Sequence, residues 1–151
     1  MNARSITPQL VVADQPSEAE LGELRRDGFH AVVNLRHDGE PEQPLNPEAE
    51  GERARAFGLD YHAAPIGGAP LQPVAINAVC DFIDAQLEQG NKVLVHCRKG
   101  GRASALVLLQ MARAAGWQAH EALANATQLG LPLEGNLRLL VEKYLDDHHV
   151  A

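Results

Sequence analysis

From His96 to Arg102 the chain reads His96-Cys97-Arg98-Lys99-Gly100-Gly101-Arg102, which brings a potential nucleophile, flexible backbone and fixed positive charge together. Residue types in this order suit an oxyanion-binding loop around a reactive sulfur. A loop that wraps over the start of a helix points free backbone N–H groups inward and adds the positive end of the helix dipole, so it can hold a phosphate-like anion. The same surroundings activate cysteine: a free thiol titrates near ~8.5, and a helix N-terminus with nearby cations lowers this to roughly 3.5–7.5. Cys97 is therefore the candidate nucleophile, and Arg102 the candidate clamp, since a guanidinium can bind two anion oxygens at once. Arg98, Lys99, Gly100 and Gly101 would line the loop as substrate-binding residues, with Ser104 on the first turn beyond it.

Several neighbouring residues have two readings. His96 could tune the thiolate or simply fix the loop by hydrogen bonding. Ser104 could donate to the sulfur or act as a plain helix cap. Cys80 falls on one helical face with Ile76, Val79, Ile83 and Leu87, as a core residue would, but a redox partner for Cys97 would also be a cysteine of this kind.

The loop needs a strand to deliver it and a helix to carry it away. Lys92 to His96 is a short, largely apolar run suited to a buried strand, and Ala103 to Ala115 is rich in the helix formers Ala and Leu. The rest of the chain repeats that rhythm. Leu10 to Ala13 reads as a first strand, and Ser17 with Glu20 forms a capping box for a helix running to Asp27 and stopped by Gly28. His30 to Leu35 reads as a strand covered on both faces, Pro47 to Phe57 as a helix, and Tyr61 to Ala64 as a further strand. A Gly67-Gly68-Ala69-Pro70 loop leads to a helix from Pro73 to Gln89, and two more helices are expected over Glu121 to Gln128 and Asn136 to Asp146. His148 and His149 read as a frayed end. Strands alternating with helices predict an α/β fold with a mainly parallel central sheet of four to five strands and helices on both faces. In such sheets ligands bind beyond the carboxyl ends of the strands, where Cys97 falls.

With 151 residues the chain is expected to form a single domain over residues 1–151. Hydrophobic residues make up 45% and charged residues 22%, as in ordinary globular proteins; no run suggests a membrane span or a signal peptide, so a cytoplasmic location is expected. Two cysteines point to chemistry rather than a disulfide framework. The formal charge is −7, and residues 1–50 carry ten acids against four bases, which argues against a nucleic-acid partner. By contrast, Gln89 to His120 holds Lys92, Arg98, Lys99, Arg102 and Arg113 and no acid, the pattern of a positive site for an anionic substrate. Neither Cys-x-x-Cys nor His-x-x-x-His spacing occurs, so no metal and no cofactor are expected. The oligomeric state is not readable.

The His96–Arg102 segment resembles the signature of the protein-tyrosine and dual-specificity cysteine phosphatases, His-Cys, five residues, then Arg and Ser or Thr. It is one residue shorter: four residues separate Cys97 from Arg102, and Ala103 stands where that signature has its arginine. The short loop also resembles that of rhodanese-type sulfurtransferases. The closest likeness is to a bacterial phosphatase-like domain, sometimes fused to a metallo-β-lactamase-like hydrolase. It is carried by Asp14-Gln15-Pro16, Val33-Asn34-Leu35-Arg36, Pro65 to Leu71, and His96 to Ser104. This resemblance implies a cysteine-phosphatase-like fold and displacement by Cys97 at phosphorus in a phosphorylated protein or small-molecule phosphate ester. It also implies an aspartate general acid on a loop before the nucleophile, yet residues 65–73 contain none; Asp38 and Asp14, each following a strand, are the candidates, and both also suit ordinary turns. The competing reading is sulfur transfer through a Cys97 persulfide, which needs no such acid.

Overall fold

In the computed structural model, which describes residues 1–67, 72–131, 133 and 135–148, the strands β1 (Ala3–Thr7), β2 (Leu10–Ala13), β3 (Ala31–Asn34), β4 (Asp60–Ala63) and β5 (Val93–His96) form one sheet. Their order is β1-β2-β5-β3-β4; β1 runs antiparallel to β2 and the other three pairings are parallel. The expected mainly parallel α/β architecture is therefore the observed one. The strand without a counterpart in the sequence reading is β1, whose Ala3, Arg4 and Ser5 are exposed. It gives no apolar alternation because it is an edge strand, joined by its backbone.

The helices are α1 (Glu18–Glu23), α2 (Pro47–Ala56), α3 (Pro73–Glu88), α4 (Gly101–Ala115), α5 (Ala119–Leu129) and α6 (Gly135–His148). Alternation along the central strands sends side chains to two cores. Leu10, Val12, Ala31, Val33, Val93 and Val95 face the side packed by α3 and α4, while Val11, Ala13, Val32 and Leu94 face the side packed by Leu21, Leu24 and Ala54. The Ser17–Glu20 capping box is present in both directions. Helix α1 nevertheless ends four residues short of the expected Asp27, because the Leu24 amide bonds back to Leu21 at i−3 and tightens the last turn. Helix α6 extends to His148; His149 lies outside the described residues, as does the 68–71 part of the expected glycine-rich loop.

What matters for the site is register. Ala13 of β2 and Asn34 of β3 flank His96 of β5, and Asn34 in turn pairs with Ala63 of β4. Four strands thus end on one line, and the segments that leave them are brought together at the carboxyl edge.

No helix among the described residues is long and apolar enough to cross a membrane. Nor do the described residues contain a group of three or more His, Cys, Asp or Glu side chains able to hold a metal ion.

Candidate active site

Cys97 leaves β5 at the sheet edge and is 1% exposed. Its loop turns into α4 at Gly100, where φ is +97°, a conformation open to glycine at little cost. This turn aims the Gly100 N–H at Cys97 Sγ, 3.0 Å away, so the sulfur accepts a backbone hydrogen bond at the start of a 15-residue helix. Gly101 serves differently: a Cβ there would come within 3.0 Å of Leu137 Cδ1, so its smallness lets α6 close over the loop.

Arg102, in the first turn of α4, is held from three sides. Nη1 donates to Glu40 Oε2 (2.8 Å), to the Ile66 carbonyl (3.0 Å) and to the Leu35 carbonyl (3.3 Å), while Nη2 donates to Glu40 Oε1 (2.8 Å). Cys97 lies near enough to the same guanidinium to favour its charged form. Gly67 packs directly on this side chain: its φ is +124°, and a Cβ on it would meet Arg102 Cδ at 3.1 Å. The described end of the loop after β4 thus borders Arg102.

Glu40 is the site residue that the sequence reading missed. The carboxylate joins two arginines, since Oε1 also accepts from Nε of the fully buried Arg36 at 3.1 Å, and the His37 amide donates to Oε2 at 2.6 Å. Hydrogen bonding to Arg102 outweighs burial and, with His37 and Arg36, lowers its pKa to about 2, so it is a fixed anion rather than an acid catalyst. Arg36 in turn donates to the Gln15 amide oxygen at 2.8 Å and to the Pro41 carbonyl. A weak signal for this brace was present: Asp14-Gln15-Pro16 and Asn34-Leu35-Arg36 both place polar residues just past the ends of apolar strands.

The remaining candidates are distributed around this centre. Arg98 reaches outward to Glu42 Oε1 at 2.6 Å, while its buried Nε has no hydrogen-bond partner among the described residues. Lys99 is exposed. Ser104 is buried and its hydroxyl donates to the Gly100 carbonyl at 2.9 Å, bracing the loop from below. Asp14 accepts from the Asn2 amide and side chain with both oxygens (2.7 and 3.0 Å), whereas Asp38 is exposed two residues before Glu40. His96, completely buried, lies against Glu50 at 2.8 Å. Cys80 and Cys97 are both free; the charges around Cys80 are Arg113, Asp84 and Asp81, and burial raises its pKa to about 12, so it is an inert core thiol.

A cleft of about 290 Å³ opens beside the loop, lined by Asp14, Gln15, Arg36, Glu42, Pro44 and Arg98 among others. A second, of about 340 Å³, lies between the start of α5 and the end of α6 at Gln118, His120 and Asp146, away from Cys97. Of the two, the first is the one that a residue of the Cys97 loop, Arg98, lines.

Residues 2–116 match the family described as Beta-lactamase hydrolase-like protein, phosphatase-like domain. A Beta-lactamase hydrolase-like protein of Xylella fastidiosa is 37% identical over 110 residues, which cover 72% of this chain and 25% of that protein. Dual specificity protein phosphatase 26 of Rattus norvegicus is 36% identical over 110 residues, 72% of this chain and 49% of that one. The chain therefore spans about a quarter to a half of the length of these relatives. Among solved structures, Tk-PTP in the active form superposes with a TM-score of 0.76 at 25% identity, covering 97% of each chain.

Proposed function

From the premise that this chain belongs to the phosphatase-like domain family of the Beta-lactamase hydrolase-like proteins, we propose that it hydrolyses phosphate monoesters through a phosphocysteine on Cys97. The observation that carries this reading is the state of Arg102. Three oxygen acceptors take Nη1 and Glu40 takes one N–H of Nη2, so the Nε–H and the second Nη2 N–H are the donors left for an anion. That edge of a guanidinium matches two oxygens of a phosphoryl group.

The Cys97 thiolate attacks phosphorus; the S–P bond forms as the P–O bond to the leaving group breaks, and the departing oxygen takes a proton. Water then attacks the phosphorus, the S–P bond breaks, and inorganic phosphate leaves with the thiolate restored. Gly100 N–H and Arg102 stabilise the charge on sulfur and on the equatorial oxygens respectively. Arg98 and Lys99 supply further positive charge at the mouth, and Gly101 and Ser104 keep the cradle in shape. Asp38 is the proton donor in this scheme, because both oxygens of Asp14 are engaged by Asn2. Substrates are phosphorylated proteins or small phosphate esters, acted on by one domain over residues 1–151 in the cytoplasm.

The test is one assay series on wild type and Cys97→Ser: p-nitrophenol release from its phosphate, thiocyanate formation from thiosulfate and cyanide, and intact mass after each donor. Cys97-dependent phosphate release with a phosphate adduct is expected. A stable added sulfur, with no Cys97-dependent phosphate release, would replace the phosphatase reading with sulfur transfer.

A further inference from the structure

Arg98, next to Cys97 in the loop, has its hydrogen bonds only partly made. Its Nη2 donates to Glu42 Oε1 at 2.6 Å, and its Nε is buried without a partner among the described residues. We propose that Arg98 is a specificity residue: its guanidinium takes a carboxylate that the substrate carries beside the scissile phosphate, and Glu42 holds that position until the carboxylate replaces it. The proposal rests on the phosphatase reading above and names the substrate class of the same site, an acidic phosphate ester.

The argument starts from the shape of the guanidinium. It presents Nε–H and one Nη2–H side by side, and a carboxylate binds that edge with two parallel hydrogen bonds. Glu42 supplies one of the two. A buried donor left unpaired is costly and uncommon, so an acceptor that takes Nε and Nη2 together fits this edge better than Glu42 does. Residue 42 also makes its contact from an unfavourable backbone, with φ at +60°, a conformation uncommon for a residue other than glycine. The pair is open to water besides: the Glu42 side chain is 78% exposed and that of Arg98 34%, and ion pairs in such a setting contribute little. An incoming anion can therefore displace Glu42 at small cost.

The cleft decides where that anion sits. Arg98 and Glu42 line it together with Asp14, Ser17, Glu20 and Arg36. The other charges are committed to the wall. Asp14 accepts from Asn2 with both oxygens, Glu20 accepts from the Met1 amine at 2.6 Å, and the Ser17 amide donates to its other oxygen at 2.8 Å. Arg36 donates to Glu40, Gln15 and the Pro41 carbonyl. Asp14 and Glu20 repel an anion along their side, so an acidic group is favoured at Arg98 alone. The phosphoryl group is then close by. Arg98 follows Cys97 directly, with α-carbons about 3.8 Å apart, and its carbonyl accepts from the Gln15 amide at 3.4 Å, which ties its backbone to the cleft wall. One small molecule, or two neighbouring residues of a peptide, can span both groups.

The experiment measures affinity by isothermal titration in the Cys97→Ser chain, so that no probe is turned over, with two pairs of probes. 3-Phosphoglycerate and glycerol 3-phosphate differ by a carboxylate; phosphotyrosine peptides with Glu or Ala on either side of the phosphotyrosine differ in the same way. At least one acidic probe should bind about tenfold more tightly than its neutral counterpart, a modest factor for a charge-assisted bond because Glu42 must be displaced. The pair that shows the preference identifies the source of the carboxylate. Arg98→Gln should abolish the preference. Glu42→Asn, which removes the competing charge and keeps a residue tolerant of positive φ, should widen it severalfold. Equal affinities within both pairs, a preference that survives Arg98→Gln, or one that Glu42→Asn weakens would each overturn the proposal. Should Arg98→Gln fail to fold, the ratio in the parent chain and its change in Glu42→Asn decide, since residue 42 is exposed. Failure of the phosphatase reading would show separately, as an absence of Cys97-dependent p-nitrophenol release; with that release present, equal affinities remove this proposal alone.

Discussion

Replacing Glu40 by glutamine keeps the shape of the side chain and removes its charge, and the hydrogen-bond directions then work against it. In the native site Oε1 accepts from Arg36 Nε and Arg102 Nη2, and Oε2 accepts from Arg102 Nη1 and the His37 amide. A glutamine must place its NH2 at one of these positions. Whichever way it turns, two N–H donors face an N–H donor, and one of the two belongs to Arg102. Hydrogen bonds to charged groups contribute about 1.5–3 kcal/mol each, so after local relaxation a loss of about 2–3 kcal/mol is expected, in stability and in the set of Arg102. If the second part is felt in the transition state, kcat/KM for p-nitrophenyl phosphate falls about 30- to 150-fold. Inhibition by inorganic phosphate should weaken alongside it, because the same guanidinium edge binds both. Thermal unfolding measured in parallel separates the two effects. A variant with lowered Tm but kcat/KM and phosphate inhibition within twofold of wild type would show that Glu40 braces the fold only, and the account of Arg102 as an oriented clamp would be wrong.

Further outcomes follow from single contacts. Asp38→Asn should slow turnover of an alkyl phosphate far more than that of p-nitrophenyl phosphate, since only the poorer leaving group needs a proton, and Asp14→Asn should not; equal effects on both substrates would remove Asp38 as the acid. Gly67→Ala and Gly90→Ala both force alanine into a positive-φ conformation at a cost of about 1–3 kcal/mol, but only the first pushes on Arg102, since a Cβ on Gly90 meets open space. Both should lower Tm, and only Gly67→Ala should lower kcat/KM, by tenfold or more. His62, stacked on Phe82 with Nε2 buried and without a hydrogen-bond partner among the described residues, has its pKa lowered by burial. The unfolded chain therefore binds the proton more readily, and stability should be full above pH ~6.5 and fall as pH drops toward the folded-state pKa. Glu40 adds a second window, its contribution being lost as pH falls from 4.5 towards about 2. Tm against pH for wild type and His62→Phe checks the upper window, which should flatten in the variant.

Strands and helices were readable because each carries a local signal: β-branched runs for β2, β3 and β5, Asn46 and Pro47 opening α2, Gly116 closing α4. The nucleophile loop was readable for a similar reason, its cysteine, glycines and arginine being contiguous. Glu40 was not. It stands in an acidic, proline-containing loop with no periodicity, 62 residues before the arginine it holds, and nothing local distinguishes it from Glu42, an exposed side chain that reaches only Arg98. Glu50 was hidden in another way: within α2 it is one of several acids on a helix of low mean hydropathy, and only the fold turns it inward beside His96.

The sheet register explains why these hidden residues converge. Because Ala13, His96, Asn34 and Ala63 lie on one line across the sheet, the next one to three residues along each strand share the same edge: Gln15 after β2, Cys97 after β5, Arg36 after β3 and Ile66 after β4. Each makes a site contact, and each falls in one of the four stretches that carry the family likeness. A parallel sheet thus converts positions far apart in sequence into neighbours without any local signal. The likeness could mark the edges, but only the strand order shows that Arg36 lies between Gln15 and Glu40, and that Arg102 is reached through them. The consequence is a specific one for any variant in this region. Gln15→Leu should disconnect Glu50 from Arg36 while leaving both arginines on Glu40, so phosphate affinity should fall far less than in Glu40→Gln. If Gln15→Leu instead lowers phosphate affinity as far as Glu40→Gln does, the two halves of the network act as one unit rather than as a chain of separable contacts.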